Sequence, residues 1–155
     1  LTGNLRAGGD IGPIIVKAKS GTGGSIAGSV ITGTGIGELN ISDNVANALI
    51  LAGADLGDDH TLGGGDDTFA PGTIKSLKIG GEVTASVFAA GLDPINDVFH
   101  DADDTILGGP ASAFGKISIK GAADATSYFA AGKFNKAQIA GDKIDPATDP
   151  RFFVN

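Results

Sequence analysis

The sequence predicts an all-β protein, folded as a parallel β-helix (β-solenoid) with coils of about 20 residues and two Asp-rich insertion loops. Three observations indicate this fold: a repeated apolar pattern, small residues at fixed positions after it, and a composition that disfavours helices. Of 155 residues, 26 are Gly and 16 are Asp, against only two Glu and no Met. Gly and Asp favour turns and weaken helices. We therefore expect short strands joined by tight turns.

The repeated pattern occurs in five segments, each with apolar residues at offsets 0, 3 and 5. The segments are IGPIIVKA (11–18), IGELNISD (36–43), IKSLKIGG (74–81), FGKISIKG (114–121) and FNKAQIAG (134–141). Alternation between offsets 3 and 5 has the period of a strand with one buried face, not the 3.6-residue period of a helix. A short coil buries its apolar face only when like residues of successive coils stack. The predicted columns are Ile11, Ile36, Ile74, Phe114 and Phe134; Ile14, Leu39, Leu77, Ile117 and Ala137; and Val16, Ile41, Ile79, Ile119 and Ile139.

A second pattern, of the type LILAG, closes each unit with small residues. It occurs at 49–53, 87–91 and 128–132, with looser copies at 24–28 and 4–8. Each unit is therefore predicted to hold two short strands and a small-residue corner. The spacing from 114 to 134 is 20 residues and that from 11 to 36 is 25, while the spacings of 38 and 40 residues contain the Asp-rich insertions. A left-handed β-helix requires a strict hexapeptide rhythm, which this sequence lacks, so we expect the right-handed form.

An antiparallel β-sandwich is the alternative fold, because it also combines many short strands with Gly-rich turns. The strands of a sandwich face different neighbours, so that fold does not require like residues at matching offsets. The repeated columns favour the β-solenoid.

One domain is expected for residues 1–155, since the chain is too short for two sizeable cores. Within it, 1–10 is predicted to be the end of a preceding coil, 54–73 and 92–113 the first and second acidic insertion loops, and 142–155 a C-terminal cap. Pro146 and Pro150 disfavour another regular strand in that cap. An uncovered first coil is an open sheet edge. We therefore expect either end-to-end stacking of copies or continuation of a longer chain.

Negative charge is concentrated in the two loops. The net charge is −7, and the loops hold ten Asp but no Lys or Arg. These loops would repel phosphate backbones, and the scattered lysines lack the aromatic platforms of single-strand binders, so nucleic-acid binding is not expected. No apolar run approaches the roughly 20 residues that span a bilayer, so membrane insertion is not expected either.

Both loops offer the hard oxygen ligands that calcium prefers. A divalent cation would also relieve the repulsion among crowded carboxylates. The candidate ligands are Asp55, Asp58, Asp59, Asp66 and Asp67 in the first loop, and Asp93, Asn96, Asp97, Asp101, Asp103 and Asp104 in the second. Neither loop has the spacing of an EF-hand or of the GGxGxD nonapeptide. Soluble turns that discourage aggregation are therefore the alternative interpretation.

Other chemistries have less support in the sequence. His60 and His100 each lie beside aspartates, as in some zinc sites, but one His per loop equally suits an exposed polar residue. The acids outside the loops form no column that would place two carboxylates across a sugar ring, as glycoside hydrolysis requires. Five outward-facing lysines suit a solvated sheet face or, alternatively, the binding of acidic glycans. They are Lys75, Lys78, Lys116, Lys120 and Lys136.

A family resemblance is carried by IKSLKIGGEVTASVFAAG (74–91), GLDPINDVFHDADD (91–104) and DPATDPRFFVN (145–155). Over roughly residues 36–155, the pattern resembles the C-terminal part of large secreted Gly- and Asp-rich β-helix repeat proteins of planctomycete-like environmental bacteria. The resemblance implies an extracellular or cell-surface location and assigns no catalytic residues. We expect a noncatalytic structural or adhesive segment that is stabilised by calcium and assembles head to tail into filaments. A polysaccharide-binding or polysaccharide-degrading β-helix module is the alternative.

Overall fold

The computed structural model describes residues 1–19 and 23–154, and nearly all of its regular structure is β-strand. In chain order the strands are β1 (Leu5–Arg6), β2 (Ile14–Val16), β3 (Ile26–Ala27), β4 (Val30–Gly33), β5 (Gly35–Ile41), β6 (Val45–Ala46), β7 (Leu49–Ala52), β8 (Ala54–Asp55), β9 (Thr68–Phe69) and β10 (Thr73–Ile79). They continue with β11 (Val83–Thr84), β12 (Val87–Ala90), β13 (Leu92–Asp93), β14 (Thr105–Ile106), β15 (Ala113–Ile119), β16 (Tyr128–Ala130), β17 (Lys133–Phe134), β18 (Ala137–Ile139), β19 (Asp142–Ile144) and β20 (Phe152–Phe153). The helical structure within the described residues is a single 3-10 turn at Gly109–Ala111. None of the described residues forms a helix with the length and apolar character that a membrane crossing requires.

Most strands lie in three sheets whose neighbours run mostly parallel. The first sheet has the order β1-β4-β7-β12-β16-β20, the second β19-β18-β15-β10-β5-β2 with β17 also on β15, and the third β11-β6-β3. In each sheet the chain returns, one repeat later, beside the strand of the previous repeat. Among the described strands, antiparallel pairing is confined to β8–β9, β13–β14 and β18–β19. The alternative of an antiparallel sandwich is therefore wrong.

The strand register confirms the predicted alignment of the repeats along the second sheet. Ile79 lies opposite both Ile41 and Ile119, and all three side chains are almost completely buried. Val16 extends this column at one end and Ile139 at the other. The other two columns are aligned in the same way; they run from Ile11 to Phe134 and from Ile14 to Ala137.

The repeats contain a third short strand that the sequence analysis did not predict. These strands are β3, β6 and β11, and their Ile26, Val45 and Val83 side chains are buried. Each is only two residues long, so alternation within it is too short to show in a sequence. The segment 24–28, expected to match 49–53, belongs to this third sheet. The segment that pairs with Leu49–Ala52 is Val30–Gly33.

One apolar core is shared by the three sheets. It includes Leu77 from the second sheet, Ile50 and Phe88 from the first, and Val45 and Val83 from the third. From Ser76 to Ile79 the burial in β10 alternates, because successive side chains of a strand point to opposite faces. Burial of this aliphatic and aromatic surface is the main favourable contribution to folding.

The two ends of the sheets differ. At one end, β1, β2 and β3 each have a neighbour on one side only among the described strands. At the other end, β19 turns back antiparallel along β18, while β20 extends the first sheet and adds Phe152 to the core. These strands lie in the segment 142–155 that was predicted to be a cap. Asn155, its last residue, lies outside the described residues.

Candidate functional site

Both acidic loops leave the first sheet at a glycine with a positive φ. Gly53 has φ +88° and Gly91 has φ +67°, a backbone region that L side chains rarely adopt. The two ends of each loop then pair as short antiparallel strands, β8 with β9 in the first loop and β13 with β14 in the second. The chain rejoins the second sheet at β10 and β15, respectively. The two loops are therefore equivalent insertions into successive repeats.

The loops fold over the outer face of the first sheet instead of projecting into solvent. Leu56 of the first loop and Leu92 and Ile106 of the second are buried in an apolar cluster with Leu51 and Tyr128 of that sheet. This cluster is separate from the core that the three sheets share. Of the loop aspartates, Asp104 is buried in this arrangement, and four are partly buried, namely Asp67, Asp93, Asp101 and Asp103, while the other five remain exposed.

Asp67 and Asp104 occupy equivalent places in the two loops. The Asp67 Oδ2 accepts a hydrogen bond from the Gly63 backbone N–H at 2.7 Å, and the Asp104 Oδ2 accepts one from the His100 N–H at 2.8 Å. In each residue the other carboxyl oxygen, Oδ1, is buried and has no hydrogen-bond partner. An unpaired buried carboxylate oxygen is costly. This shared feature therefore marks Asp67 and Asp104 as candidate ligands for a cation.

Asp104 is the most deeply buried acid described in the chain, with 6 % of its surface exposed. Its Oδ2 also accepts a hydrogen bond of 2.8 Å from the Tyr128 hydroxyl. The His100 ring stacks on the Tyr128 ring, with centroids 4.4 Å apart. Burial, followed by the hydrogen bond and negative charge of Asp104, raises the pKa of Tyr128 far above its ordinary value. Tyr128 therefore remains a neutral donor that holds Asp104 in one orientation.

Asp101 and Asp103 form a carboxyl pair beside Asp104. The Asp101 Oδ2 accepts a 2.9 Å hydrogen bond from the Asn96 side-chain amide. Contact between the two carboxyl groups raises the pKa of Asp103, with burial and the charges of Asp101 and Asp104 adding to the effect, and lowers the pKa of Asp101. The Asp103 Oδ1 is buried without a donor. When both carboxyl groups are ionised, neither can donate a hydrogen bond to the other. Their contact then requires a proton or another cation between them.

In the first loop, negative charge accumulates around Asp67 from both insertions. Burial raises its pKa, the Gly63 N–H bond opposes that rise, and the charges of Asp66, Asp97 and Asp59 add to it. Asp97 belongs to the second loop, and its Oδ2 would lie 3.5 Å from a Cβ at Gly63. The two loops therefore approach each other, and an acid of the second loop faces the first.

A cation from outside the loops reaches Asp55. Arg6, on β1 at the edge of the first sheet, forms an ion pair with the Asp55 carboxylate and contacts the Gly57 carbonyl and the His60 ring. Nothing in the sequence indicates a role for Arg6, because 49 to 54 positions separate it from these partners. Asp55 is therefore matched with a positive charge, unlike Asp67 or Asp104.

Several of the predicted ligands serve local turns. Oxygens of Asp59, Asp66, Asp93 and Asn96 accept the backbone N–H groups of Thr61, Asp58, Ile95 and Val98 at 2.7–3.1 Å. Asp58 itself is exposed. Within residues 1–19 and 23–154, no three His, Asp or Glu side chains are arranged so that they could hold a metal ion. The structure therefore brings predicted ligands together in pairs and leaves calcium binding by the loops a prediction.

Tyr128, which donates a hydrogen bond to Asp104, was not identified as a site residue from the sequence. Its strand position is that of Val87, which lies opposite it along the first sheet, and of Leu49, which lies opposite Val87. The alternation within YFAAG assigns Tyr128 to the outer face, where the two loops fold. A lone tyrosine at an outward position beside an insertion was the available signal.

A separate surface groove of about 480 Å³ lies near the start of the second-sheet strands. It is lined by Asp10, Ile11, Gly12, Pro13, Glu38 and Lys75, among others. Asp10 accepts a 2.7 Å hydrogen bond from the Thr34 hydroxyl at this position. The lining combines apolar residues with charged groups of both signs, which is the chemistry of a small polar ligand site.

Comparisons with protein-family models, with curated proteins and with solved structures find no match for this chain.

Proposed function

We propose that the chain is a noncatalytic structural or adhesive segment of a right-handed β-solenoid that works outside the cell. The observation that carries the proposal is the register of Val16, Ile41, Ile79, Ile119 and Ile139, which lie opposite one another on successive parallel strands. Such a column buries apolar surface only in the presence of the repeats on either side. A rod of this kind is suited to spacing, adhesion or assembly.

Paired cysteines test the register directly, because the chain contains no native Cys. Asn40 and Lys78 are direct partners on β5 and β10, while Ser118 lies one strand further. Asn40→Cys combined with Lys78→Cys should form a disulfide on mild oxidation, since the neighbouring Cα atoms lie within bridging range. Asn40→Cys combined with Ser118→Cys is the control and should remain reduced within one molecule, because about 10 Å separates strands two apart. The reverse result would contradict the proposed coil.

End-to-end association is the second element of the proposal. Strands β1, β2 and β3 present open edges, and Leu5 and Ile15 on β1 and β2 are exposed. Unpaired backbone donors and acceptors beside apolar side chains recruit further strands. A heterologous contact of this kind extends into a filament when its rotation does not close. We therefore propose that this end stacks on a second copy or on further coils of a longer chain.

Stacking is tested by sedimentation over a range of concentrations and by electron microscopy of the purified chain. Ile15→Lys places a charge at the β2 edge and should abolish association. Val98→Lys, in the second loop, is the matched control, because both side chains are about half exposed and both gain the same charge. Strictly monomeric wild-type particles at high concentration would contradict stacking of copies.

Extracellular placement is proposed from the composition and the repeat style. Asp-rich, Cys-free loops of this type are suited to a calcium-containing medium outside the cell. Detection of the native protein on intact cells or in the culture medium tests this placement, and recovery only from the cell interior would contradict it.

A polysaccharide-binding or polysaccharide-degrading module is the second candidate, and the groove beside Glu38 supports it. A screen of acidic polysaccharides should show no turnover if the chain is purely structural. Turnover that disappears in Glu38→Gln, while Glu82→Gln leaves it unchanged, would overturn the noncatalytic proposal.

A further inference from the structure

We propose that the outer face of the second sheet, from β10 to β19, binds a linear polysaccharide that carries one acidic group on each sugar. The inference deepens the proposed function, because it names the ligand of an adhesive segment, and it rests on that function for the choice of an extracellular polymer. Five exposed lysines define this basic face: Lys75, Lys78, Lys116, Lys136 and Lys143.

The basic face is poor in acids. Strands β10, β15 and β18 contain no Asp or Glu. On β19, Lys143 lies opposite the outward-facing Gln138, whereas Asp142 lies opposite Ile139, whose side chain is buried in the core. Glu38, on the neighbouring strand β5, bounds the acid-free region on the other side. The face therefore concentrates positive charge within a chain whose net charge is −7.

Two lysines of this face are immediate neighbours. Ile117 lies opposite Ala137, and its N–H donates a 2.8 Å hydrogen bond to the Lys136 carbonyl. Lys116 and Lys136 each precede one of these partners, so they lie side by side at the strand spacing of about 4.8 Å. Like charges opposite each other destabilise a sheet. An anionic group between the two ammonium groups would replace this repulsion with attraction.

The lysines of the basic face are not neutralised within the chain. None of them forms an ion pair with any residue that the structure describes, and the ion pairs at Asp55 and Asp149 are made by arginines. The acidic loops, which hold ten aspartates, fold over the outer face of the first sheet instead. The positive charge of the second sheet is therefore open to an external anion.

Positive charge recurs from strand to strand across the face. Lys78 lies on β10, Lys116 on β15, Lys136 beside β18 and Lys143 on β19. These four strands are consecutive in the sheet, so they span about 14 Å at the usual spacing. An extended polymer laid across the strands would meet a lysine at each step. The repeated spacing favours a chain with regularly placed single charges over a compact anion.

The remaining groups of the face favour a polysaccharide over a nucleic acid. Ser76 and Ser118 lie between the lysines in the strand register, and within the described residues neither hydroxyl forms a hydrogen bond. Both can bond to sugar hydroxyls. Single-stranded nucleic acids are bound through aromatic platforms and arginines. Strands β10, β15 and β18 have no arginine, and their one aromatic residue, Phe114, is buried in the core.

Calorimetric titration with polygalacturonate tests binding, because each sugar of this polymer carries one carboxylate. We expect binding at low salt that weakens as ionic strength rises, since exposed charges are screened by salt. The same polymer with its carboxylates methyl-esterified is the matched ligand control and should not bind. Equal binding of the two polymers would contradict recognition through charge.

Lys116→Gln should weaken binding by about fivefold, and Lys116→Gln combined with Lys136→Gln by at least about tenfold, as expected for lysines at an anionic surface. Lys116→Arg keeps the charge and should bind as tightly as wild type. Lys17→Gln is the matched control: Lys17 is exposed and follows β2, beyond β5 and Glu38. It should change affinity by less than about twofold. Circular dichroism checks that each variant is folded.

Three results would overturn the inference: no binding of polygalacturonate at low salt, equal weakening by Lys17→Gln and Lys116→Gln, or tighter binding of a single-stranded DNA of the same total charge. Sedimentation separates this inference from the proposed function. A chain that stacks without binding polygalacturonate contradicts only the polysaccharide site. A chain that binds the polymer but stays monomeric contradicts only the stacking.

Discussion

Phe88 and Phe129 stack face to face in the core, with ring centroids 5.2 Å apart and ring planes 7° from parallel. They occupy the same position in successive strands of the first sheet, because β12 pairs with β16 in that register. Phe152 continues the stack, with its ring centroid 4.9 Å from that of Phe129. Aromatic residues from three neighbouring strands of the first sheet thus form one continuous column.

Replacing the central ring should destabilise the whole chain. Phe129 is fully buried, so Phe129→Ala should lower the free energy of unfolding by about 3–5 kcal/mol through lost burial and a residual cavity. Urea denaturation measures the change. Val98→Ala, at a half-exposed loop position, is the control and should change it by about 0.5 kcal/mol or less. A loss below about 1 kcal/mol for Phe129→Ala would show that the aromatic column is not part of the stable core.

The close approach of backbones in the second sheet makes Gly115 intolerant of a side chain. A Cβ at this position would lie 2.2 Å from the Lys75 carbonyl oxygen on the adjacent strand. We expect Gly115→Ala to destabilise the protein by about 1–3 kcal/mol, because backbone must move to relieve the overlap. Gly12→Ala is the control, since nothing lies within 4 Å of a Cβ there. Equal unfolding midpoints for the two variants would contradict the strand spacing.

Tyr128 should resist ionisation for as long as the protein is folded. Burial and the hydrogen bond to Asp104 raise its pKa strongly, and it is the only tyrosine in the chain. Phenolate absorbance should therefore appear on alkaline titration only when the chain unfolds, at a pH well above the ordinary tyrosine value of about 10. Urea-unfolded protein provides the reference titration. Reversible ionisation near pH 10 in the folded protein would contradict a buried Tyr128–Asp104 contact.

The Asp149–Arg151 pair should stabilise the C-terminal segment except in acid. The Arg151 guanidinium lowers the pKa of Asp149, and its Nη1 also donates a 2.8 Å hydrogen bond to the Ala123 carbonyl. This stabilisation is present above the unfolded Asp pKa of about 3.9 and is lost as pH falls through the lower folded value. Asp149→Asn should cost about 1–2 kcal/mol at pH 7 and progressively less in acid.

Urea unfolding of wild-type protein and Asp149→Asn across a pH series measures this difference. Asp142→Asn, an exposed acid of the same segment, is the control for loss of one negative charge and should have little effect. A difference between wild type and Asp149→Asn that stays constant into strong acid would show that the ion pair is not its source.

Sequence periodicity predicted the pairing of the second sheet because that information is local. Residues such as Ile41, Ile79 and Ile119 recur at one offset within similar segments, and similar segments that pair in parallel place like residues opposite one another. The third strand escaped prediction, because two residues such as Val45 and Ala46 are too few to show alternation. Its position was clear only once the neighbouring repeats were in place.

The candidate ligands likewise divide into what the sequence predicts and what only the tertiary structure decides. Composition alone identified two Asp-rich loops, since clustering of one residue type needs no knowledge of the fold. The outer face of the first sheet, beneath the loops, decides which aspartates are buried away from water and which accept a hydrogen bond. Asp104 is buried because Tyr128 and Ile106 pack there, and Asp55 is neutralised because Arg6 reaches it from an edge strand.

The sequence by itself determined that this protein is rich in β-strand, that its apolar residues repeat in columns, and that its net negative charge is concentrated in two insertions. These properties follow from the order and type of neighbouring residues. Only the tertiary structure decided that the loops fold back over the first sheet, and that Asp104 meets Tyr128 while Asp67 faces Asp97. Such contacts join residues far apart in the chain, so they depend on how the repeats stack and on which apolar surface remains to be covered.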